Sequence, residues 1–237
     1  MFFFDPMYLV FVAPAVLLAL WAQFRVKSAL GFARQYANRR GLSGAQTARR
    51  ILDTTGLSDV GVEQADGWLG DHYDPRSRVL RLSRDVYHGH DLAAMGIAAH
   101  EAGHALQQAH DYAPLKLRSG LVPLAGFGGN FSMLMIMIGI ALSYGGSRLG
   151  MTMVYAGLAL FSVFVLFQLI NLPVEYDASR RARAVLAESG IVSEVEMAPV
   201  SRVLNAAALT YVAATVTAIM QLLYFLYRAG LLGGRRD

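Results

Sequence analysis

His100-Glu101-Ala102-Gly103-His104 is the stretch from which the rest of this chain can be read. Two histidines four residues apart lie one turn above each other on an α-helix, so their imidazoles can converge on one metal ion. The glutamate between them can reach a water bound to that ion, the arrangement a metal-dependent hydrolase helix needs. The chain holds only six His and six Glu, so the coincidence carries weight. Outward from the motif, the spacing predicts a helix from about Asp91 to His110. Leu92, Met95, Ala99, Ala102 and Leu106 form its core stripe, and Ala93, Ile97, His100 and His104 line the adjacent face. Gly103 reads as a site of close helix packing rather than of chemistry.

Composition sets the context. Of 237 residues, 55% are hydrophobic and 16% charged, with a mean hydropathy of +0.39. That is a membrane-protein profile. Four apolar stretches are long enough to span about 30 Å of hydrocarbon. They run over Met7–Phe24, Leu121–Leu142, Met151–Ile170 and Ala206–Tyr227. Thr210, Thr215, Thr217 and Gln221 dilute the last, and are expected to face neighbouring helices. The first lacks a positive region before its apolar run, so it reads as a retained anchor with its N-terminus outside, not as a cleaved signal. The absence of cysteine excludes disulfides and thiolate metal sites. The net charge of +4 does not point to nucleic acid, because the basic residues flank apolar spans instead of forming a face.

Topology follows from the positive-inside rule. The segment between the first two spans (25–118) holds 13 of the 21 Lys and Arg. The segment between the last two (172–205) holds Arg180, Arg181, Arg183 and Arg202. Both are therefore expected in the cytoplasm, although Arg228, Arg235 and Arg236 at the other end pull mildly against this. Segment 25–118 reads as a small α+β unit. It should contain a helix over Ser43–Thr54 capped by Ser43 and ended by Gly56, a strand at Val60–Gln64, and a hairpin from Trp68–Tyr73 through Asp74-Pro75-Arg76 to Arg78–Leu82. The Trp68–Tyr73 strand offers an edge on which an extended peptide could pair.

A hydrolytic zinc site has three protein ligands and an open position. The third ligand has downstream candidates in His110, Asp111, Glu175, Asp177, Glu188, Glu194 and Glu196. Glu175 is favoured. Pro173 is placed to start a new helix, putting Glu175 in its first turn where the helix dipole favours a carboxylate. Asp177 would then point away and serve as a cap or support. His72, Tyr112 and Arg180 are the candidates for stabilising an oxyanion. His88 and His90 precede the motif helix in a region of turns.

Three blocks together resemble a known family: His-Glu-Ala-Gly-His-Ala-Leu-Gln (100–107); Asp71-His72-Tyr73-Asp74-Pro75 with Leu80-Arg81-Leu82-Ser83; and Asn-Leu-Pro-Val-Glu-Tyr-Asp-Ala-Ser (171–179). They look like the YugP-type membrane zinc metallopeptidases, over nearly the whole chain from about Phe24. That family is distantly similar to the HtpX-type gluzincin endopeptidases. The resemblance implies Zn²⁺ held by His100, His104 and Glu175, with Glu101 as catalytic base. It implies a mostly α protein: an α+β zincin-like (gluzincin) unit combined with about four transmembrane helices, in the cytoplasmic (inner) membrane of a bacterium. It also implies a polypeptide substrate, with the lipid bilayer as the other partner. HtpX-like proteins carry Glu-x-x-x-Asp, the Asp steadying a ligand histidine; here Ser179 stands at that position, and Asp177 is the acid left to support the site.

Two other readings compete. One is a metal-binding but inactive scaffold or chaperone-like adaptor, which has no need of Glu101. The other is an intramembrane protease, against which Asp91, Gln107, Gln108 and Asp111 make the motif helix too polar.

Overall fold

In the computed structural model, which describes residues 5–65 and 70–232, most of the chain is helical and the strands are few and short. The elements are α1 (Pro6–Ala33), α2 (Gly44–Thr54), β1 (Gly61–Gln64), β2 (His72–Asp74), β3 (Val79–Leu82), α3 (Arg84–His88), α4 (Leu92–Ala109), α5 (Ala113–Tyr144), α6 (Arg148–Glu188) and α7 (Glu194–Arg228). The chain divides into two compact units.

One unit gathers the chain up to Trp21, Leu117–Leu172 and the chain from Tyr211 onward. It draws on α1, α5, α6 and α7, which among the described residues are the four helices long and apolar enough to cross a membrane. Small residues bring α5 and α6 together: a Cβ on Gly139 would lie 2.7 Å from the Gly150 carbonyl oxygen, and one on Gly157 would lie 2.7 Å from the Ile136 side chain. Close backbone approach of this kind replaces the hydrophobic drive that lipid removes. The Thr215 hydroxyl lies 2.8 Å from the Tyr211 carbonyl of its own helix and also reaches toward α6, 3.3 Å from the Gln168 carbonyl, as its sequence suggested. Thr210 and Thr217 donate to carbonyls of their own helix.

The other unit, Ala22–Lys116 with Pro173–Thr210, carries the motif. Helix α2 begins at a capping box in which the Ser43 hydroxyl accepts from the Gln46 N–H and the Gln46 side chain accepts from the Ser43 N–H. It ends before Gly56, whose φ of +77° is one that glycine adopts without penalty. The alternation around Arg78–Leu82 yields β3 with Leu80 and Leu82 buried. The hairpin forms, with β2 antiparallel to β3 (Tyr73 opposite Leu80). The part of that strand expected around Trp68 lies outside the described residues. β1 pairs parallel to β3, giving the order β1-β3-β2 and leaving β2 at an edge. Short α3 ends at His88, with Gly89 and His90 leading from it into α4; the helix is too brief for a periodic signal.

Helix α4 starts at Asp91, whose carboxylate accepts from the Ala93 and Ala94 N–H groups at 2.9 Å each. Its predicted stripe of Leu92, Met95, Ala99, Ala102 and Leu106 is buried. This stripe packs in one core with Ile51 and Leu52 of α2, Leu80 and Leu82 of β3, Ala182 and Leu186 of α6, and Val200 and Leu204 of α7.

Pro173 does not start a helix. α6 runs unbroken from Arg148 to Glu188 with Pro173 inside it. A proline within a helix removes one hydrogen bond and crowds the carbonyl four residues back. Continuation is worth more here, because it buries Val174, Ala178, Ala182 and Leu186 completely on one face. Glu175 is therefore mid-helix, and the dipole of a helix start does not act on it.

Candidate metal centre

The motif helix and α6 meet where neither carries a bulky side chain. A Cβ on Gly103 would press into the Ala178 carbonyl and lie 3.1 Å from its carbon and 3.2 Å from the Ala178 Cα. Only glycine permits this approach, and the approach delivers Glu175 to the histidine pair. His100 Nε2 is 3.1 Å from Glu175 Oε2, and His104 Nε2 is 3.6 Å from the same oxygen. The two imidazoles stand 4.9 Å apart and nearly perpendicular. Among the described residues, His100, His104 and Glu175 form the group whose donor atoms, all within 4.8 Å of one another, could hold a metal ion.

The donor set fits zinc. Two imidazole nitrogens and one carboxylate oxygen are a known catalytic combination, and bonds of about 2.0–2.1 Å place tetrahedral donors about 3.3 Å apart. The separations of 3.1 and 3.6 Å bracket that edge. Both histidines turn Nε2 inward because each Nδ1 is engaged behind it, His100 with the Ser179 hydroxyl at 3.1 Å and His104 with Gln107 Oε1 at 2.9 Å. Burial alone would push the Glu175 carboxyl up. Hydrogen bonds and charge from His100 and His104 outweigh it and hold the group well below the ordinary carboxylate range. The anion is thus favoured where a cation would bind.

Glu101 lies on the same helix, buried, with Oε2 accepting from the Tyr73 N–H of the edge strand β2 at 3.0 Å. Burial pushes its carboxyl up. His100 and the Tyr73 N–H act against this, while the charges of Glu175 and Asp71 add to it. An upward shift is the direction that favours a carboxylate taking a proton.

The other candidates are placed elsewhere. Asp177 is ion-paired with Arg180 and Arg181 and accepts from Gln107 Nε2 at 3.0 Å, so it supports the site from behind. His72 bonds through Nδ1 to the Gly70 carbonyl at 2.8 Å. The Tyr112 hydroxyl reaches the Pro173 carbonyl at 3.4 Å, and Arg181 lies over its ring. Arg180 is exposed and occupied by Asp177. His110 takes a hydrogen bond from Arg181, and Asp111 pairs with Lys116. Glu188 and Glu194 are exposed, and Glu196 caps α7 by accepting from Ser193. His88 of α3 bonds to Gln64 of β1, and His90 to the Gly41 carbonyl. Sequence reasoning passed over two groups at the site. Gln107 carried a signal, a polar residue near the apolar stripe of α4; the Tyr73 N–H is a backbone group and carried none.

Comparison with known proteins shows a family with which the His-His-Glu group is compatible. Residues 8–230 match the family described as "Putative neutral zinc metallopeptidase". The chain is 44% identical over 221 residues to "Putative membrane protease YugP" of Bacillus subtilis (strain 168), covering 92% of this chain and 95% of that protein. No solved structure matches, so the zincin-like part of the expected fold has no structural relative beside it. By sequence over nearly its full length, the chain belongs to the neutral zinc metallopeptidase family that this match defines, and it resembles a membrane protease throughout.

Proposed function

We propose that this protein is a zinc-dependent endopeptidase of the bacterial cytoplasmic membrane, with its site on the cytoplasmic side. The observation that carries the reading is the convergence of His100, His104 and Glu175 within 4.8 Å, beside buried Glu101 on the same helix. Zinc held by these three ligands would polarise a scissile carbonyl and acidify a water to a pKa of about 7. Glu101 takes the proton from the attacking water and returns it to the leaving amine, for which its upward-shifted carboxyl is suited. The imidazoles keep Nε2 directed inward through their Nδ1 partners. Ionised Glu175 offsets the cation's charge.

The cytoplasmic placement rests on the excess of Lys and Arg in 25–118 and 172–205. Glu175 follows the 151–170 span by five residues, which favours membrane proteins or membrane-proximal peptides as substrates. Equal cleavage of soluble unfolded proteins in detergent and in lipid would count against that restriction.

The test is metal analysis with proteolysis of wild type and Glu101→Gln. The endopeptidase reading expects zinc in both and cleavage by the wild type alone. Equal cleavage by both would defeat the mechanism, and zinc without cleavage by either would favour the inactive metal-binding scaffold.

A further inference from the structure

Gln107 is fully buried, at 0% exposure, one turn beyond His104, and every polar atom of its side chain is engaged. Its Nε2 donates to the Val174 carbonyl at 2.7 Å and to Asp177 Oδ2 at 3.0 Å. Its Oε1 lies 2.9 Å from His104 Nδ1. Amide orientation and histidine tautomer are ordinarily assigned rather than seen, but here the partners leave one solution. The Val174 carbonyl can only accept. Asp177, ion-paired with Arg180 and with Arg181 at 2.6 Å, meets the amide through Oδ2, the oxygen that already accepts from Arg181, so it too acts as an acceptor. A flipped amide would set its oxygen against both. Oε1 must therefore face the imidazole, and since an amide oxygen only accepts, His104 Nδ1 must carry the hydrogen.

We infer that Gln107 is a positioning residue which, clamped by Val174 and Asp177, holds a hydrogen on His104 Nδ1 and so leaves Nε2, the nitrogen turned toward Glu175, as the one to bind the metal. The relay runs from the Arg180–Arg181 pair through Asp177 and Gln107 to His104. It joins two turns of α6 to the second histidine of the motif on α4. His100 has no such constraint, because the Ser179 hydroxyl facing its Nδ1 can donate or accept. The two ligand histidines are thus unequally fixed, one by a dictated tautomer and one by a rotatable partner. The relay matters for metal binding only if His100, His104 and Glu175 hold zinc, so in that respect the inference rests on the reading above.

The experiment uses the full chain in detergent. Zinc affinity is measured by chelator competition for wild type and Gln107→Leu. In parallel, the ¹⁵N shifts of His104 are recorded for the metal-free protein at pH 8. Expected are a loss of zinc affinity of about 10- to 100-fold in Gln107→Leu, a wild-type His104 protonated at Nδ1, and a shift toward the Nε2–H form in the variant. A purely packing role for Gln107 would leave the tautomer and the affinity unchanged, and affinity within twofold of wild type would overturn the inference. Should Gln107→Leu fail to fold, the wild-type tautomer decides alone: protonation at Nε2 overturns it. Absence of zinc binding in the wild type would instead defeat the metal-centre reading, while the tautomer still decides the role of Gln107.

Discussion

Replacing Gly103 with alanine adds one methyl group and should disable the centre without unfolding the protein. The added carbon would sit 3.1 Å from the Ala178 carbonyl carbon and 3.2 Å from its Cα, and nearer still to the carbonyl oxygen. Carbon–carbon contacts settle at about 3.5–4.0 Å. The two helices must therefore separate by at least about 0.4 Å, and the atoms in the way are backbone, which cannot rotate aside. Such overpacking costs about 1–3 kcal/mol. The proposed ligands are divided across the same contact, with His100 and His104 on α4 and Glu175 on α6. Adding about 0.4 Å to separations of 3.1 and 3.6 Å gives about 3.5 and 4.0 Å, so the pair no longer brackets the edge of about 3.3 Å that zinc bonds require but lies wholly beyond it. Bonds would stretch past the tolerance of about 0.2 Å for a metal site. The expected result is a zinc affinity lower by at least about tenfold, which is 1.4 kcal/mol, with helical circular dichroism retained. Gly31→Ala is the control: it also lies in a helix, nothing stands within 4 Å of the new carbon, and it should be neutral or slightly stabilising. Wild-type zinc affinity in Gly103→Ala would refute the argument that this contact sets the ligand geometry.

Other expectations follow from the same structure. Ser179→Ala removes the Nδ1 partner of His100 and should weaken zinc binding by about tenfold, read by chelator competition. Ser43→Ala breaks the capping box of α2 and should cost about 1 kcal/mol in denaturant unfolding with zinc affinity unchanged. Asp74 is held well below the ordinary carboxylate range by the Ser77 hydroxyl first, against a small burial penalty, and by the Arg76 N–H and Arg81. Its folded value is depressed, so its contribution is full above the unfolded pKa of about 3.9 and fades as pH falls below it. Asp74→Asn should therefore be less stable than wild type at pH 7, with the gap closing as pH drops through 4 toward 2; a constant gap would show that the charge is not responsible.

How much of this was legible beforehand depended on the range of the interaction. The core stripe of α4, the Ser43 cap, the Gly56 stop and the alternation of β3 are local, and each follows from the chemistry of neighbours in sequence. The convergence of the motif with Glu175 joins residues 75 apart, and spacing alone could offer Glu175 only as one of several acids. Pro173 shows why local rules mislead here. Read alone, it marks a helix start; in the structure a buried stripe from Val174 to Leu186 carries the helix through it. The parallel pairing of β1 with β3 had no local signal, because register between separated strands is set by the core they share.

The serine at position 179 is best understood through the same continuous helix. On an α-helix, positions 175 and 179 share a face, so Glu175 and Ser179 both address His100. Position 177 lies about 160° from 179, and Asp177 could not take over the serine's place without breaking the helix. It serves the other histidine instead, across an amide. A carboxylate bonded directly to a ligand imidazole raises its basicity; one acting through Gln107 fixes the tautomer while keeping its charge one residue further from the metal and compensated by two arginines. With a neutral hydroxyl behind one histidine and a neutral amide behind the other, the negative charge paired with both histidines is that of Glu175. Less negative charge at the ligands makes a bound cation a stronger Lewis acid. The absence of the expected acid thus reads as a different balance of the same forces, and Ser179→Asp tests it: the added carboxylate should tighten zinc binding, read by chelator competition, and raise the pH at which cleavage reaches half its maximum. A variant with unchanged affinity and pH profile would show that charge behind His100 does not tune the site.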